Sequence, residues 1–202
     1  MRNLNIFIFT FFIVSSCEVV EGPYQNEINS NGSSETVLQK ILIEDFTGHT
    51  CMNCPDAATE LESIKELYPN QVIGIALHVG NTFARPLPPN SSNKYLTDFR
   101  TKWGEEIDNY FEVSSVGLPK GMINRKDEEP KSKDDWGNVV SEIINNSPLF
   151  DIDISASPFV FGDCDIEVIV KALENVDGEY NIVIALTEDS IVDWQKNGSY
   201  DD

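Results

Sequence analysis

Histidine and positive charge are scarce in this 202-residue chain, which has two histidines and four cysteines. An all-histidine metal site and a histidine-based catalytic triad are therefore disfavoured, and cysteine chemistry is the richest option left. Lysine and arginine number 14 against 34 aspartates and glutamates, which gives a formal net charge of −20. This balance argues against nucleic acid as a partner, because phosphate groups would be repelled. No apolar run reaches the ~20 residues that a transmembrane helix needs.

Apolar and aromatic residues are nonetheless abundant enough to form a core. The hydrophobic fraction is 41%, with 11 Phe, 6 Tyr and 3 Trp, unlike the composition of disordered acidic chains. At ~100–200 residues per domain, the length predicts one large domain or two small ones.

The N-terminus has the features of an export signal. After a basic second residue, an apolar run covers residues 4–14, which is too short to span a bilayer and is typical of a secretory signal. The run ends in the sequence VSSC, with Cys17 last, and this resembles the lipobox of bacterial lipoproteins. The resemblance implies that residues 1–16 are removed, that Cys17 carries the lipid, and that polar residues 17–36 are a flexible tether. An ordinary signal peptide with a chance cysteine is the alternative.

Residues 37–79 predict a β-α-β unit. Residues 37–46 and 72–79 are apolar runs of the kind found in buried parallel strands, and the second is predicted to be buried on both faces. Between them, apolar residues recur at helical spacing from Asp56 until Pro69 ends the helix. A crossover of this length joins parallel strands.

A Cys-x-x-Cys motif, Cys51 and Cys54, falls between the first strand and the helix. In this context the motif indicates a thioredoxin-like redox site. Cys51, at the helix N-terminus, is the predicted nucleophile because the helix dipole stabilises a thiolate there. Cys54, one turn deeper and less exposed, is the predicted resolving thiol. A static structural disulfide is the alternative, and haem attachment is rejected because Pro55 follows the second cysteine.

Residues 37–148 as a whole resemble the thioredoxin fold, an α/β fold with a central mixed sheet and flanking helices. The resemblance implies that Asp45, six residues before Cys51, is a buried acid that shuttles a proton for the resolving thiol. It also implies that Pro119 is in the cis form and faces the disulfide, just before a strand over residues 120–124.

Two further helices are predicted in this domain. Residues 136–144 predict a closing helix that is capped by Asp134 and Asp135. Residues 80–112 form a helical insertion, because apolar side chains recur there at helical spacing: Leu96, Phe99, Trp103, Ile107 and Phe111. The sequence departs from the thioredoxin pattern at Thr50, where Trp is common, and at the Met52-Asn53 pair between the cysteines.

The string ILIEDFTGHTCMNCP behind a lipobox resembles a narrower group, the Omp-twenty-eight-related outer-membrane proteins (the twenty-eight-kilodalton outer-membrane protein family) of Bacteroidetes-type bacteria. This resemblance implies a lipid-anchored cell-envelope protein, in the outer membrane, with a thioredoxin-like domain and a β-rich C-terminal region. The resemblance supports a cellular location for the protein more than a particular reaction.

Residues 149–202 change from helical spacing to alternation of apolar and polar residues. Strands are predicted over residues 150–156, 164–172 and 180–186, with a hairpin turn at Asp177-Gly178 between the last two. The pattern predicts an antiparallel, β-sandwich-like region with one buried face. Three strands do not close a sandwich, so the region is predicted to be incomplete and the chain truncated.

Three remaining residues have competing interpretations. His49 is either a group that raises the thiolate content of Cys51 or a solvated loop residue. His78 is predicted to be a satisfied core histidine. Cys164 is predicted to be a small buried residue, and the alternative, for a truncated chain, is a disulfide partner beyond Asp202. A zinc site at Cys51 and Cys54 would need two further ligands from these three residues, so no metal is predicted.

The sequence therefore predicts a lipid-anchored thiol–disulfide oxidoreductase of the cell envelope that acts on protein thiols or disulfides. Its site residues are Cys51, Cys54, Asp45 and Pro119, and no cofactor is predicted. The competing hypothesis is a non-enzymatic envelope interaction protein that keeps the thioredoxin fold as a scaffold.

Overall fold

A computed structural model describes residues 37–89, 93–158 and 162–198. These residues form a mixed α/β fold with five strands and three α-helices: β1 Ile41–Thr47, α1 Cys54–Leu67, β2 Val72–His78, α2 Lys102–Phe111, β3 Lys120–Ile123, α3 Lys133–Ile143, β4 Phe150–Ala156 and β5 Ile166–Ala172. The predicted signal peptide, Cys17 and the tether over residues 17–36 lie outside the described residues.

β1 is the central strand of a three-stranded mixed sheet with the order β2-β1-β3. It pairs in parallel with β2, Ile41 opposite Val72, and antiparallel with β3, Asp45 opposite Gly121. Six of its seven residues are buried, because successive side chains of a strand point to opposite faces and both faces are covered.

Two hydrophobic clusters cover these two faces. On one face, Ile41 and Ile43 pack with Leu61 of α1 and Trp136 of α3. On the other face, Phe46 packs in a cluster with Ile107 of α2. The alternation along β1 therefore places odd-numbered side chains toward α1 and α3, and even-numbered side chains toward α2.

The predicted burial of the second strand on both faces is wrong. β2 is at the edge of the sheet, Ile73 is 44% exposed, and most of the strand is only half-buried. An apolar run predicts a strand but does not distinguish an edge from a centre.

The helix predicted across residues 96–111 begins later, at Lys102. Thr101 is the N-cap, and its side-chain oxygen accepts a hydrogen bond from the Gly104 N–H at 3.0 Å. Leu96 and Phe99 lie in non-helical chain before the cap. The closing helix also has a different cap: Ser132 is the N-cap residue, and Asp134 and Asp135 lie in the first turn, where their charge is favourable to the helix dipole.

β4 and β5 form a separate two-stranded antiparallel sheet, with Ile154 opposite Val168. The third strand predicted over residues 180–186 is wrong, since that stretch has no regular secondary structure. The predicted buried face is also absent among the described residues, because Ile152 is 56% and Ile154 66% exposed. A two-stranded ribbon has no opposing layer that would bury its apolar side chains.

No helix in the described part of the chain has the length and apolar character needed to cross a membrane.

Candidate functional site

Cys51 and Cys54 form a disulfide, with 2.09 Å between the sulfurs and 5.4 Å between the Cα atoms. The pair lies on the loop between the central strand β1 and α1. Cys54 is the first residue of α1, Asn53 is its N-cap, and Pro55 follows in the first turn, where a missing N–H costs nothing. The Cys51 N–H donates a hydrogen bond to the Gly48 carbonyl at 3.0 Å. The predicted redox pair is thus held at the N-terminus of a helix.

The loop that carries the pair is braced by residues of the predicted insertion. The Thr50 N–H and hydroxyl both donate to the Phe83 carbonyl, at 3.0 and 2.9 Å. A Cβ built on Gly48 would lie 2.5 Å from the Phe83 carbonyl carbon and 2.8 Å from the Ala84 nitrogen. Glycine at position 48 therefore permits a close approach of two backbones, and it fixes the start of the cysteine loop.

Asp45 is buried on β1, with 2% of its surface exposed, and its Oδ1 has no hydrogen-bond partner among the described residues. Burial raises the pKa of Asp45 from the ordinary value of 3.8 to about 7, because desolvation disfavours the charged form. Its odd position on the strand directs it to the face that α1 and α3 cover. A carboxyl group with this pKa can both take up and release a proton near neutral pH.

Pro119 follows Leu118 through a cis peptide bond. It immediately precedes β3, and Lys120 at the start of β3 is opposite Phe46 near the end of β1. The antiparallel register therefore brings Pro119 to the carboxyl end of β1, from which the cysteine loop departs. The geometry brings the segments of Cys51, Cys54, Asp45 and Pro119 to one end of the sheet.

His49 lies in an aromatic cluster and not in solvent, since only 1% of its surface is exposed. Its ring is 6.2 Å from that of His78 and 6.0 Å from those of Tyr95 and Phe99, between centroids. Burial lowers the pKa of His49, against a smaller opposing effect of nearby carboxylates, one of them Asp193. The alternative of a solvated loop residue is therefore wrong, and a neutral imidazole is favoured.

His78 is half-buried at the end of β2, and its ring centroid is 5.2 Å from that of Phe99. Burial, with a smaller contribution from His49, lowers the pKa of His78 to about 4. Both histidines are therefore neutral at pH 7, and neither supplies a positive charge to the cysteine loop.

Cys164 is a free thiol, and it is half-buried and not buried as predicted. Its Sγ donates a hydrogen bond to the Ser157 carbonyl at 3.1 Å, beside the β4–β5 sheet. In the described part of the chain, no three histidine, cysteine or acidic residues are grouped so that they could hold a metal ion.

The predicted difference in exposure between the two cysteines is not found, because each is 2% exposed. Residues 193–198, here called the strap, contact the backbone of the cysteine loop. The Gln195 side-chain amide donates to the carbonyls of Gly48 and Cys51, at 3.3 and 3.1 Å. Nothing in the composition of this segment distinguishes it from an ordinary loop, so its contacts were not predicted from the sequence.

An ion pair between a fully buried glutamate and a half-buried arginine, on the other face of β1, was also missed. Both carboxylate oxygens of Glu44 accept hydrogen bonds from the Arg125 guanidinium, at 2.7 and 2.8 Å, and Glu44 is fully buried. A glutamate inside an apolar strand was a signal that a cation would lie nearby. Nothing in the sequence pointed to Arg125, 81 residues later.

Comparisons with known proteins add a weak structural likeness. No protein-family model matches the chain, and no curated protein matches it in sequence. A solved structure that resembles it is the X-ray crystal structure of a protein from Agrobacterium tumefaciens, with 16% sequence identity and a TM-score of 0.40. The likeness covers 66% of this chain, and the chain spans 58% of the length of that protein. It assigns no function.

Proposed function

We propose that this protein is a thioredoxin-like thiol–disulfide oxidoreductase that acts on thiols or disulfides of other proteins. The observation that carries the proposal is the Cys51–Cys54 disulfide at the junction of the central strand and α1. The strand order β2-β1-β3, with a parallel and an antiparallel neighbour of β1, supports a thioredoxin-like arrangement. The cis bond before Pro119, at the same end of the sheet, is further support.

The chemistry is an exchange of sulfur–sulfur bonds. The Cys51 thiolate attacks one sulfur of a substrate disulfide, a mixed disulfide forms, and the other substrate sulfur leaves as a thiolate. The Cys54 thiolate then attacks the Cys51 sulfur, and the second substrate sulfur leaves. The substrate gains two electrons and the Cys51–Cys54 pair loses them; the reverse sequence oxidises a substrate dithiol.

Asp45 supports this exchange as an acid–base group. Cys54 must lose its proton before it attacks the mixed disulfide, and a carboxylate in the apolar interior is a suitable acceptor. Because the pKa of Asp45 is about 7, both of its protonation states are populated at neutral pH. Pro119, in the cis form immediately before β3, lies at the end of the sheet from which the cysteine loop departs.

The second candidate is an envelope interaction protein with a static disulfide, and one observation favours it. Both sulfur-bearing residues are 2% exposed in the oxidised state, whereas a nucleophilic cysteine must be reached by its substrate. The two candidates differ in whether Cys51 reacts at all.

Trapping of mixed disulfides separates the candidates and the roles of the two cysteines. Cys54→Ala should accumulate mixed disulfides with envelope proteins through Cys51, because the resolving thiol is missing. Cys51→Ala is the matched control and should accumulate none. Equal trapping by both variants would overturn the roles, and a lack of trapping by either variant would favour the scaffold.

We further propose, on the sequence resemblance alone, that Cys17 anchors the protein in the outer membrane and that the chain is related to the Omp-twenty-eight-related proteins. A lipid anchor at Cys17, followed by 19 residues before the described part begins at residue 37, would leave the body in water. The acidic net charge of −20 fits a body that does not adhere to anionic headgroups.

A further inference from the structure

Residues 193–198, the strap, are the feature of the molecule that the proposed function leaves unused. The strap lies against the cysteine loop through two backbone hydrogen bonds. The Lys196 N–H donates to the His49 carbonyl at 2.8 Å, and the Gly198 N–H donates to the Met52 carbonyl at 3.0 Å. Donors two residues apart on one side are the pattern of an extended chain.

The strap is also fixed at its other end, to the insertion. The Asp193 carboxylate accepts a hydrogen bond from the Thr97 hydroxyl. The Lys94 ammonium lies 4.4 Å from the centroid of the Trp194 ring, within the range of a cation–π contact. Together with the Gln195 amide, these contacts reach from the insertion to the carbonyl of Cys51 itself.

Gly198 of the strap lies close to Met52 of the cysteine loop. A Cβ built on Gly198 would lie 3.3 Å from the Cβ of Met52 and 3.5 Å from its carbonyl oxygen. Cys51 is buried although the next two residues of its loop, Met52 and Asn53, are exposed. A protein substrate, which must bring its own sulfur to Cys51, has to approach through the space beside this loop.

We propose that the strap is an autoinhibitory segment that occupies the position of an extended polypeptide substrate at the cysteine loop, so that its release controls access to Cys51. Regulation of the exchange reaction by the strap rests on the proposed function, whereas protection of Cys51 by the strap does not. The hydrogen bonds that Gln195, Lys196 and Gly198 donate to residues 48–52 all end on loop carbonyls. A substrate backbone supplies the same N–H donors whatever its side chains, so an extended polypeptide is a chemically matched replacement.

The test measures access to Cys51 in the full chain on a Cys54→Ala background. Lys196→Pro removes the N–H that donates to His49, and Gln195→Ala removes the side-chain donors to Gly48 and Cys51. We expect either change to speed alkylation of Cys51 by iodoacetamide about fivefold, since the loss of a net hydrogen bond of about 1 kcal/mol shifts an opening equilibrium by roughly that factor. The alkylation site is read by peptide mass spectrometry.

Two controls belong to the same samples. Glu188→Pro introduces a proline, as Lys196→Pro does, into the same stretch without regular secondary structure but outside the strap. It should leave the alkylation rate of Cys51 unchanged. Cys164, a half-buried thiol beside the β4–β5 sheet, is an internal reference whose rate should be equal in all variants. Unchanged Cys51 reactivity in both strap variants would overturn the proposal, as would an equal increase with Glu188→Pro.

A peptide added in trans distinguishes failure of the strap from failure of the proposed function. A synthetic peptide with the sequence DWQKNG, that of residues 193–198, should slow the alkylation of Cys51 in Lys196→Pro again. Restored protection without any exchange with protein disulfides would support the strap as a cover and refute the oxidoreductase. Trapping of mixed disulfides at equal rates in Cys54→Ala alone and in Cys54→Ala with Lys196→Pro would support the oxidoreductase and refute the strap.

Discussion

Replacing Asp45 by Asn should make the protein more stable at pH 8 and leave its stability nearly unchanged at pH 4. Asp45 is 2% exposed, and burial raises its pKa from 3.8 to about 7. Between these two values the folded state keeps the proton that the unfolded state has lost, so the free energy of unfolding falls as the pH rises. Above pH 7 Asp45 is ionised in both states, and the loss of unfolding free energy is complete. Below pH 3.8 Asp45 is protonated in both the folded and the unfolded state, and no unfolding free energy is lost.

The size of the effect follows from the two pKa values. A change from 3.8 to about 7 corresponds to roughly 4 kcal/mol, since one pKa unit is worth about 1.36 kcal/mol. Asn has the shape of the protonated aspartate but cannot ionise. The difference in unfolding free energy between Asp45→Asn and wild type should therefore grow from near zero at pH 4 to a plateau above pH 7. Urea denaturation of the oxidised protein at pH 4, 6 and 8 measures this difference.

Asp108 provides a matched control, since it is also a buried aspartate, 5% exposed, but its carboxylate is satisfied. It accepts hydrogen bonds from the Ser114 N–H and hydroxyl, both at 2.6 Å. Asp108→Asn should destabilise by about 1–3 kcal/mol at pH 8, because an acceptor oxygen is lost. If Asp45→Asn has a pH-independent effect, or destabilises at pH 8 as Asp108→Asn does, the argument from desolvation is refuted.

Three further outcomes are expected. Arg125→Met should destabilise by about 3–5 kcal/mol in urea denaturation, because the fully buried Glu44 is left as an unpaired charge. Gly121→Ala should lower the free energy of unfolding by about 1–3 kcal/mol, because a Cβ at that position would lie 2.4 Å from the buried Trp136 ring. Cys17→Ser should release the chain from membranes or leave it unprocessed, as fractionation and mass spectrometry would show.

Each of these expectations has a comparison that would contradict it. Gly74→Ala meets the methyl end of Leu61 at 2.7 Å, a flexible group that can move, so it should cost less than Gly121→Ala; the reverse order would refute the packing argument. Arg125→Met together with Glu44→Leu should recover most of the loss. A processed, membrane-bound Cys17→Ser protein would contradict lipidation at that residue.

The local elements were predictable where the apolar period was long and bounded. The helix before Pro69 and the strands on either side of it match the predicted positions to within a few residues, because a buried stripe requires a regular period. The start of α2 was not predictable from the period alone. The Thr101 cap and the backbone before it overrode the helical spacing of Leu96 and Phe99.

The β-rich region shows the limit of reasoning from alternation. Residues 180–186 have an apolar residue at every second position, as β4 and β5 do, yet only β4 and β5 pair as strands. Alternation of apolar and polar residues indicates that a stretch can bury one face. A strand forms only where a neighbouring strand supplies the backbone hydrogen bonds. The strap was unpredictable for a related reason, since most of its contacts use backbone groups, which every residue carries.

The neighbours Glu44 and Asp45 show what the structure adds to the candidate site. In the sequence they are two adjacent acids in an apolar strand, and both are buried. They point to opposite faces of β1; Glu44 has the Arg125 guanidinium on both oxygens, whereas Asp45 has no partner for Oδ1 among the described residues. Glu44 is accounted for by the fold, because its charge is compensated where it lies. Ionisation of Asp45 destabilises the folded state, and no hydrogen bond to its Oδ1 from the described residues offsets this cost. An uncompensated carboxyl group near the end of the central strand, from which the cysteine loop departs, is what the proposed acid–base role of Asp45 requires.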